Sequence, residues 1–239
     1  MKTVVISQPM YFPWVGMLEQ MALADVFICL DDADFSKGSF FNRVQVKTSQ
    51  GVQWLTIPRA DHPMKNKLNE VQPASGSWRR KHLATLQQAY AAAPFMGEML
   101  DLAESVLSLT HESLSGLGTA SMIDMAGYFG MMPKDMRSSD LGVNGGGSER
   151  VLKLCQKVDG ERYVTGHGAK NYLDHEAFEA AGVRVEYMDY EKREYPQLHG
   201  EFTPYVTGLD LVANCGPAGR EFIVSGTVPW REFLRWERG

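Results

Sequence analysis

The run Val4-Val5-Ile6, followed at once by Ser7-Gln8-Pro9-Met10-Tyr11-Phe12-Pro13-Trp14-Val15-Gly16, constrains this chain more than any other stretch. Two β-branched valines and an isoleucine read as a buried strand, and no ladder continues through Pro9 and Pro13, which lack a backbone N–H. The strand must therefore open into a stiff loop. Beyond it, Trp14, Met17, Leu18, Met21, Leu23 and Ala24 recur at three-to-four spacing, which predicts a helix over 14–24. Val26-Phe27-Ile28-Cys29-Leu30 then predicts a second strand that ends at Asp31-Asp32. In a strand, loop, helix, strand unit the crossover is right-handed and ligands lie beyond the carboxyl ends of the strands, so the proline loop and the aspartates share one edge. Gln8, Tyr11, Asp31, Asp32, Asp34, Ser36 and Lys37 gather at that predicted edge and suggest a site. The plainer alternative is that Pro9, Pro13 and Trp14 only fix a turn and plug the end of the sheet.

A chain of 239 residues, 44% hydrophobic and 22% charged, can bury a full core without staples. A net charge of -5 argues against general nucleic-acid binding and favours a small-molecule partner. No apolar run is long enough to span a bilayer, and Met1-Lys2-Thr3 leads into the first strand without a signal-peptide pattern, so the cytoplasm is the expected location. The 3 cysteines, Cys29, Cys155 and Cys215, lack metal-ligand or redox spacing and read as reduced core thiols.

The stretch 34–43 is too rich in Gly and Ser for a helix. Phe40 and Phe41 beside Lys37 and Arg43 suggest either a stacking wall with two cations, suited to a base or a sugar nucleotide, or a loop pinned to the core. Alternation over 43–48 and 52–57, around Ser49-Gln50-Gly51, predicts a hairpin with a three-residue turn whose polar face, with Arg43, Gln45 and Lys47, looks toward the cleft. A surface loop over 59–67 and a short strand over 68–71 follow. Helices are predicted over 77–90, 96–109 and 113–129, within a helical region of about 77–135, with Ser77 as a cap. Arg79-Arg80-Lys81-His82 is the densest cationic cluster, read as a solvated face or as a phosphate-holding patch.

The glycine run 142–147 enters a helix and offers an anion seat, though without a Walker pattern; a linker is the alternative. A second strand, loop, helix, strand unit is predicted over 162–165, 166–173, 174–181 and 183–190. Its loop brings Gly166, His167, Lys170 and Asn171 to the same edge, with His167 as a candidate base and Lys170 and Asn171 as anion contacts. Asp210, inside an apolar helix-like run, reads as a buried carboxylate bonded to backbone or to a loop residue, and the tail from Arg235 reads as frayed. The fold expected is α/β, a Rossmann-like, parallel-rich sheet built from such units, with an inserted hairpin and a helical middle region in a single domain of 1–239.

With these residues in view, the chain resembles the WbqC-like family of bacterial proteins. The matching pieces are Ser7-Gln8-Pro9 with Tyr11, Pro13-Trp14 and Gly16; Asp31-Asp32 with Phe35-Ser36-Lys37 and Asn42-Arg43; Trp54-Leu55-Thr56-Ile57-Pro58; and Lys81-His82. Further on they are Ser148 with Arg150 and Cys155, Gly166 with Lys170-Asn171-Tyr172-Leu173, and Gly200-Glu201-Phe202-Thr203-Pro204 with Leu209-Asp210-Leu211 and Asn214-Cys215-Gly216. The resemblance implies a role in O-antigen or other surface-polysaccharide synthesis. Pro13-Trp14-Val15-Gly16 also loosely resembles the H-x-G-H loop of nucleotidyl-transferring α/β enzymes, but neither histidine is present, so that likeness stays at fold level.

The function expected on this basis is a transferase that joins an acyl or aminoacyl group to a nucleotide-linked amino-sugar. Asp31, Asp32 and His167 would be catalytic, while Gln8, Tyr11, Trp14, Lys37, Asn42, Arg43, Gly166, Lys170 and Asn171 would bind substrate. The alternative is a non-catalytic sugar-nucleotide binder or scaffold of the same pathway. No cofactor is assigned; Asp31, Asp32 and Asp34 are hard oxygen ligands that suit magnesium but do not dictate a cage.

Overall fold

A computed structural model describes residues 1–35, 40–60, 67–110 and 113–236. The chain begins as expected, with β1 (Thr3–Ser7), α1 (Val15–Ala22) and β2 (Val26–Cys29). The hairpin β3 (Arg43–Thr48) and β4 (Gly51–Thr56) follows, then α2 (Trp78–Ala89), α3 (Met96–Ser108), α4 (Leu114–Tyr128) and β5 (Lys134–Arg137). The second half holds α5 (Gly147–Lys157), β6 (Arg162–Thr165), α6 (His175–Ala180), β7 (Arg184–Asp189), α7 (Gly208–Cys215), β8 (Gly226–Pro229) and α8 (Trp230–Trp236).

The main sheet has 6 strands in the order β5-β2-β1-β6-β7-β8, with only β8 antiparallel. Its strands alternate between two cores. Val5, Phe27, Cys29, Val164 and Met188 face the layer that holds α1 to α4 and α7, whereas Val4, Ile6, Val26, Ile28, Tyr163 and Val185 face α5, α6 and α8. This is the Rossmann-like α/β sandwich. From β1 the chain moves outward to β2 and then β5, and α5 returns it to β6 on the other flank of β1. The winding direction therefore reverses between β1 and β6, and a crevice opens there.

Several local expectations change. The hairpin turn has two residues, Ser49-Gln50, because Thr48 pairs with Gly51, whose φ of 99° suits glycine. Leu68 and Val71 are fully buried in a turn rather than a strand, and their carbonyls accept from the N–H groups of Ser115 and Leu114, two of the orphan donors that start α4. Ser77 sits at the cap of α2 but makes no side-chain cap bond. The edge strand β5 escaped notice because Lys134, Asp135 and Arg137 are exposed and carry no apolar alternation, as charged sheet edges do. Arg235 is helical, within α8.

The proline loop draws its hydrogen bonds from outside the sheet. The Ser121 hydroxyl of α4 donates to the Met10 carbonyl at 2.9 Å and accepts from the Phe12 N–H at 3.0 Å, and the Thr207 hydroxyl donates to the Phe12 carbonyl at 2.9 Å. Those bonds hold Phe12 at φ 40°, a left-handed conformation costly for an aromatic residue. The Tyr11 hydroxyl meets His82 Nδ1 of α2 at 2.9 Å, and His82 also bonds the Thr56 backbone of β4. His82 is therefore no part of a solvated cationic face. A second buried network anchors the 195–205 segment: Asp210 accepts from the Tyr90 and Tyr195 hydroxyls, each at 2.9 Å, and from the Gln197 amide at 2.8 Å. Lys47, expected on the polar face that looks toward the cleft, is buried and donates to Gln197 Oε1 and to the Gly200 and Glu201 carbonyls. Burial pushes the Asp210 carboxyl above the usual carboxylate range, against the pull of these donors.

Burial pushes the His82 ring down to about 4, from 6.5. The unfolded chain thus binds a proton that the folded chain refuses in that window, and stability falls as pH drops through it. Urea unfolding should show wild type losing about 2 kcal/mol more than His82→Gln between pH 7 and pH 4.5; equal losses would contradict the burial of a neutral imidazole.

Candidate functional site

A cleft of about 710 Å³ lies at the reversal point. Ser7 and Gln8 reach it from the carboxyl end of β1, and Thr165, Gly166 and His167 reach it from that of β6. Trp14, Phe40, Tyr172, Tyr190 and Tyr205 form its aromatic walls, with Lys192 alongside. A narrower alcove of about 310 Å³ shares Met10, Trp14, Phe40 and Tyr205 with the cleft and adds Tyr11, Pro13, Arg43, Val44 and Gln45.

Trp14 owes its pose to a glycine. A Cβ on Gly16 would fall inside the Trp14 ring, so the indole lies over the first turn of α1 and packs 5.1 Å from Tyr190 and 5.9 Å from Tyr205. Gly166 is similarly confined, because a Cβ there would come within 3.1 Å of the Tyr190 hydroxyl. His167 Nε2 lies 2.7 Å from the Met188 carbonyl, and its ring packs 4.8 Å from Phe233. A carbonyl only accepts, so Nε2 carries the hydrogen and Nδ1 keeps the lone pair of the neutral ring. Lys192, at φ 51°, donates to the Tyr205 hydroxyl at 2.9 Å. Left-handed backbone thus marks Lys192 on the cleft wall, as it marks Phe12 within the proline loop.

Of the residues expected at the site, Gln8, Trp14, Gly166 and His167 line the cleft, and Tyr11, Trp14 and Arg43 line the alcove. Phe40 is the stacking wall, whereas Phe41 turns into the core against Phe35 at 4.7 Å. The Asn42 amide donates to the Ile57 carbonyl and closes the hairpin. Lys170 and Asn171 sit on the 3-10 turn after β6 but outside the lining. Lys37 lies outside the described residues.

Asp31 and Asp32, expected to act in the cleft, are committed elsewhere. Asp31 is buried and accepts from the Ser139 hydroxyl and the Ser139 N–H, with the Ser138 hydroxyl oxygen 3.0 Å away. Asp32 accepts from the Ser138 hydroxyl at 2.5 Å and pairs with Arg150 at 2.6 Å. Burial raises the Asp32 pKa, but the Arg150 and Ser138 hydrogen bonds outweigh it and hold the carboxyl below its ordinary range. The pair thus fastens the end of β2 to the 138–141 turn and to α5, and Arg150 Nε bonds the Val143 carbonyl of the glycine run. Asp34 is exposed and pairs with Lys67. Among the described residues, no group of three or more His, Cys, Asp or Glu could hold a metal ion. No helix there is long and apolar enough to cross a membrane, and all three cysteines are unbonded.

Sequence reasoning overlooked Thr165, Tyr190, Lys192 and Tyr205. The first three follow from the edge argument already used for Gly166, since they end or follow β6 and β7. Tyr205 has no local signal: it arrives because Thr207, two residues on, reaches back to Phe12.

Comparison with known proteins finds a model described as the WbqC-like protein family that matches residues 8–222. A curated relative, the uncharacterized protein Rv1507c of Mycobacterium tuberculosis, is 34% identical over 226 residues, covering 93% of this chain and 98% of its own length. No solved structure matches.

If Asp32 and Arg150 hold the frame, Asp32→Asn and Arg150→Met should each lower urea-unfolding stability by about 1–3 kcal/mol, with the double variant losing less than the sum. Additive or negligible losses would count against it.

Proposed function

This chain belongs to the WbqC-like protein family, and we propose that it is a transferase that forms an amide between an acyl or aminoacyl donor and the amine of a nucleotide-linked amino-sugar, for a bacterial surface polysaccharide. The observation that carries this reading is His167 at the reversal-point cleft, with Nε2 held by the Met188 carbonyl and Nδ1 left as the basic nitrogen. In the reaction, the sugar amine attacks the acyl carbon, a C–N bond forms as the bond to the leaving group breaks, and His167 Nδ1 takes the amine proton. Gln8 and Thr165 orient the acceptor. Gly166 and Gly168 let the backbone come close to a phosphate, and Lys192 offsets its charge. Asp31 and Asp32 serve as framework in this scheme.

The scarcity of ionisable groups favours a second reading, a non-catalytic sugar-nucleotide binder. Among the described residues that line the cleft, the ionisable ones apart from tyrosines are His167 and Lys192.

Mass spectrometry of mixtures containing a nucleotide-linked amino-sugar and thioester, adenylate or charged-tRNA donors separates the two. The enzyme reading expects amide product, lowered about 10²–10⁴-fold in kcat by His167→Ala with binding retained. Saturable sugar-nucleotide binding without product from any donor establishes the binder, and full activity in His167→Ala removes the proposed base.

A further inference from the structure

We infer that the alcove beside Trp14 is a nucleobase seat, so that a ligand lies with its base in the alcove and its sugar at Ser7, Gln8 and His167. This rests on the proposed action on a nucleotide-linked sugar and adds where, and by which groups, the nucleotide is recognised.

Flat walls come first. Trp14, Phe40 and Tyr205, with Tyr11 buried behind them, supply aromatic surface to a space of about 310 Å³ in which Val44 is the one branched aliphatic side chain among the described lining residues. A flexible alkyl chain packs well against branched aliphatics, whereas a planar heterocycle gains offset stacking against rings. Phe40 and Tyr205 are about half exposed, at 50% and 54%, large ring surfaces left for an occupant to cover.

The polar groups in that space argue the same way. Gln45 brings an amide to a largely aromatic lining, with its backbone fixed by the Thr207 N–H to Gln45 carbonyl bond at 2.8 Å. Facing an alkyl chain, that amide would lose water without recompense; facing a base, its adjacent donor and acceptor match the edge of the ring. Arg43 lines the same space with its guanidinium 4.2 Å over the Trp54 ring, which adds a cationic plane beside the aromatic walls.

Trp14, Phe40 and Tyr205 belong to both spaces, so a base in the alcove and a sugar in the cleft would lie against the same side chains. The chemistry thus divides: hydrogen-bonding groups and His167 at the reversal point, and stacking with edge recognition in the alcove.

Free nucleosides, which carry neither phosphate nor the transferred sugar, isolate the alcove. Titration of adenosine, guanosine, cytidine, uridine and thymidine against the full chain, followed by saturation-transfer NMR and tryptophan fluorescence, should give saturable binding with at least a tenfold preference for one base. Tyr205→Ala should weaken every nucleoside severalfold, and Gln45→Leu should erase the preference while thermal melts remain those of a folded protein. Nucleosides that bind no better than ribose, or an unchanged base preference in folded Gln45→Leu, would overturn the assignment. Amide formation on a sugar nucleotide without any base preference removes the alcove alone; base-selective nucleoside binding without amide formation keeps the alcove and removes the reaction.

Discussion

The hydroxyl of Ser121 does what a neighbouring strand no longer can. Beyond Ser7 the ladder stops, Pro9 and Pro13 have no N–H to give, and the main chain of the loop must still satisfy its polar groups. One side chain from α4 both donates to Met10 and accepts from Phe12, while the Thr207 hydroxyl donates to Phe12 and the Gly208 N–H to Pro13. Gly118 allows the approach, since a Cβ there would stand 3.0 Å from Pro9. With Phe12 held in a left-handed turn, Tyr11 faces His82 and Trp14 lies over Gly16, so the walls of both hollows follow from how this one loop is fastened.

The same economy explains how charge is distributed. Carboxylates are expensive to bury unless donors surround them, and here the buried Asp31 and Asp210 and the half-buried Asp32 are each surrounded. Asp31 and Asp32 fasten β2 to α5, and Asp210 fixes the 195–205 segment that carries Tyr205 to the cleft. Glu19 follows suit, accepting from the Ser225 hydroxyl beside the Tyr190–Lys192 wall, with burial raising its pKa. What remains inside the cleft is mostly neutral and aromatic, a surface for orienting a ligand more than for attracting one from a distance.

Much of this architecture was legible in the sequence because its signals are local. Strand runs, helical periodicity and proline or glycine punctuation located β1, α1, β2, the hairpin, α2 to α4 and the β6–β7 unit to within a few residues. The edge argument also put Gln8, Trp14, Gly166 and His167 at one edge, and the four line one cleft. It failed for Asp31 and Asp32, because being at the carboxyl edge does not say which way a side chain turns, and their partners Ser138 and Arg150 lie more than a hundred residues away. Strand β5 and Tyr205 were hidden for a related reason: a charged edge strand has no apolar rhythm, and a residue delivered by a distant tether leaves no mark near itself.

Crystals grown with a nucleotide-linked amino-sugar examine the central claim at atomic level. The account predicts density with the base between Trp14, Phe40 and Tyr205 and the amine within hydrogen-bonding distance of His167 Nδ1. A ligand seated instead at Asp31 and Asp32, or in the polar groove between Gln50, Gln53 and Gln88, would contradict it.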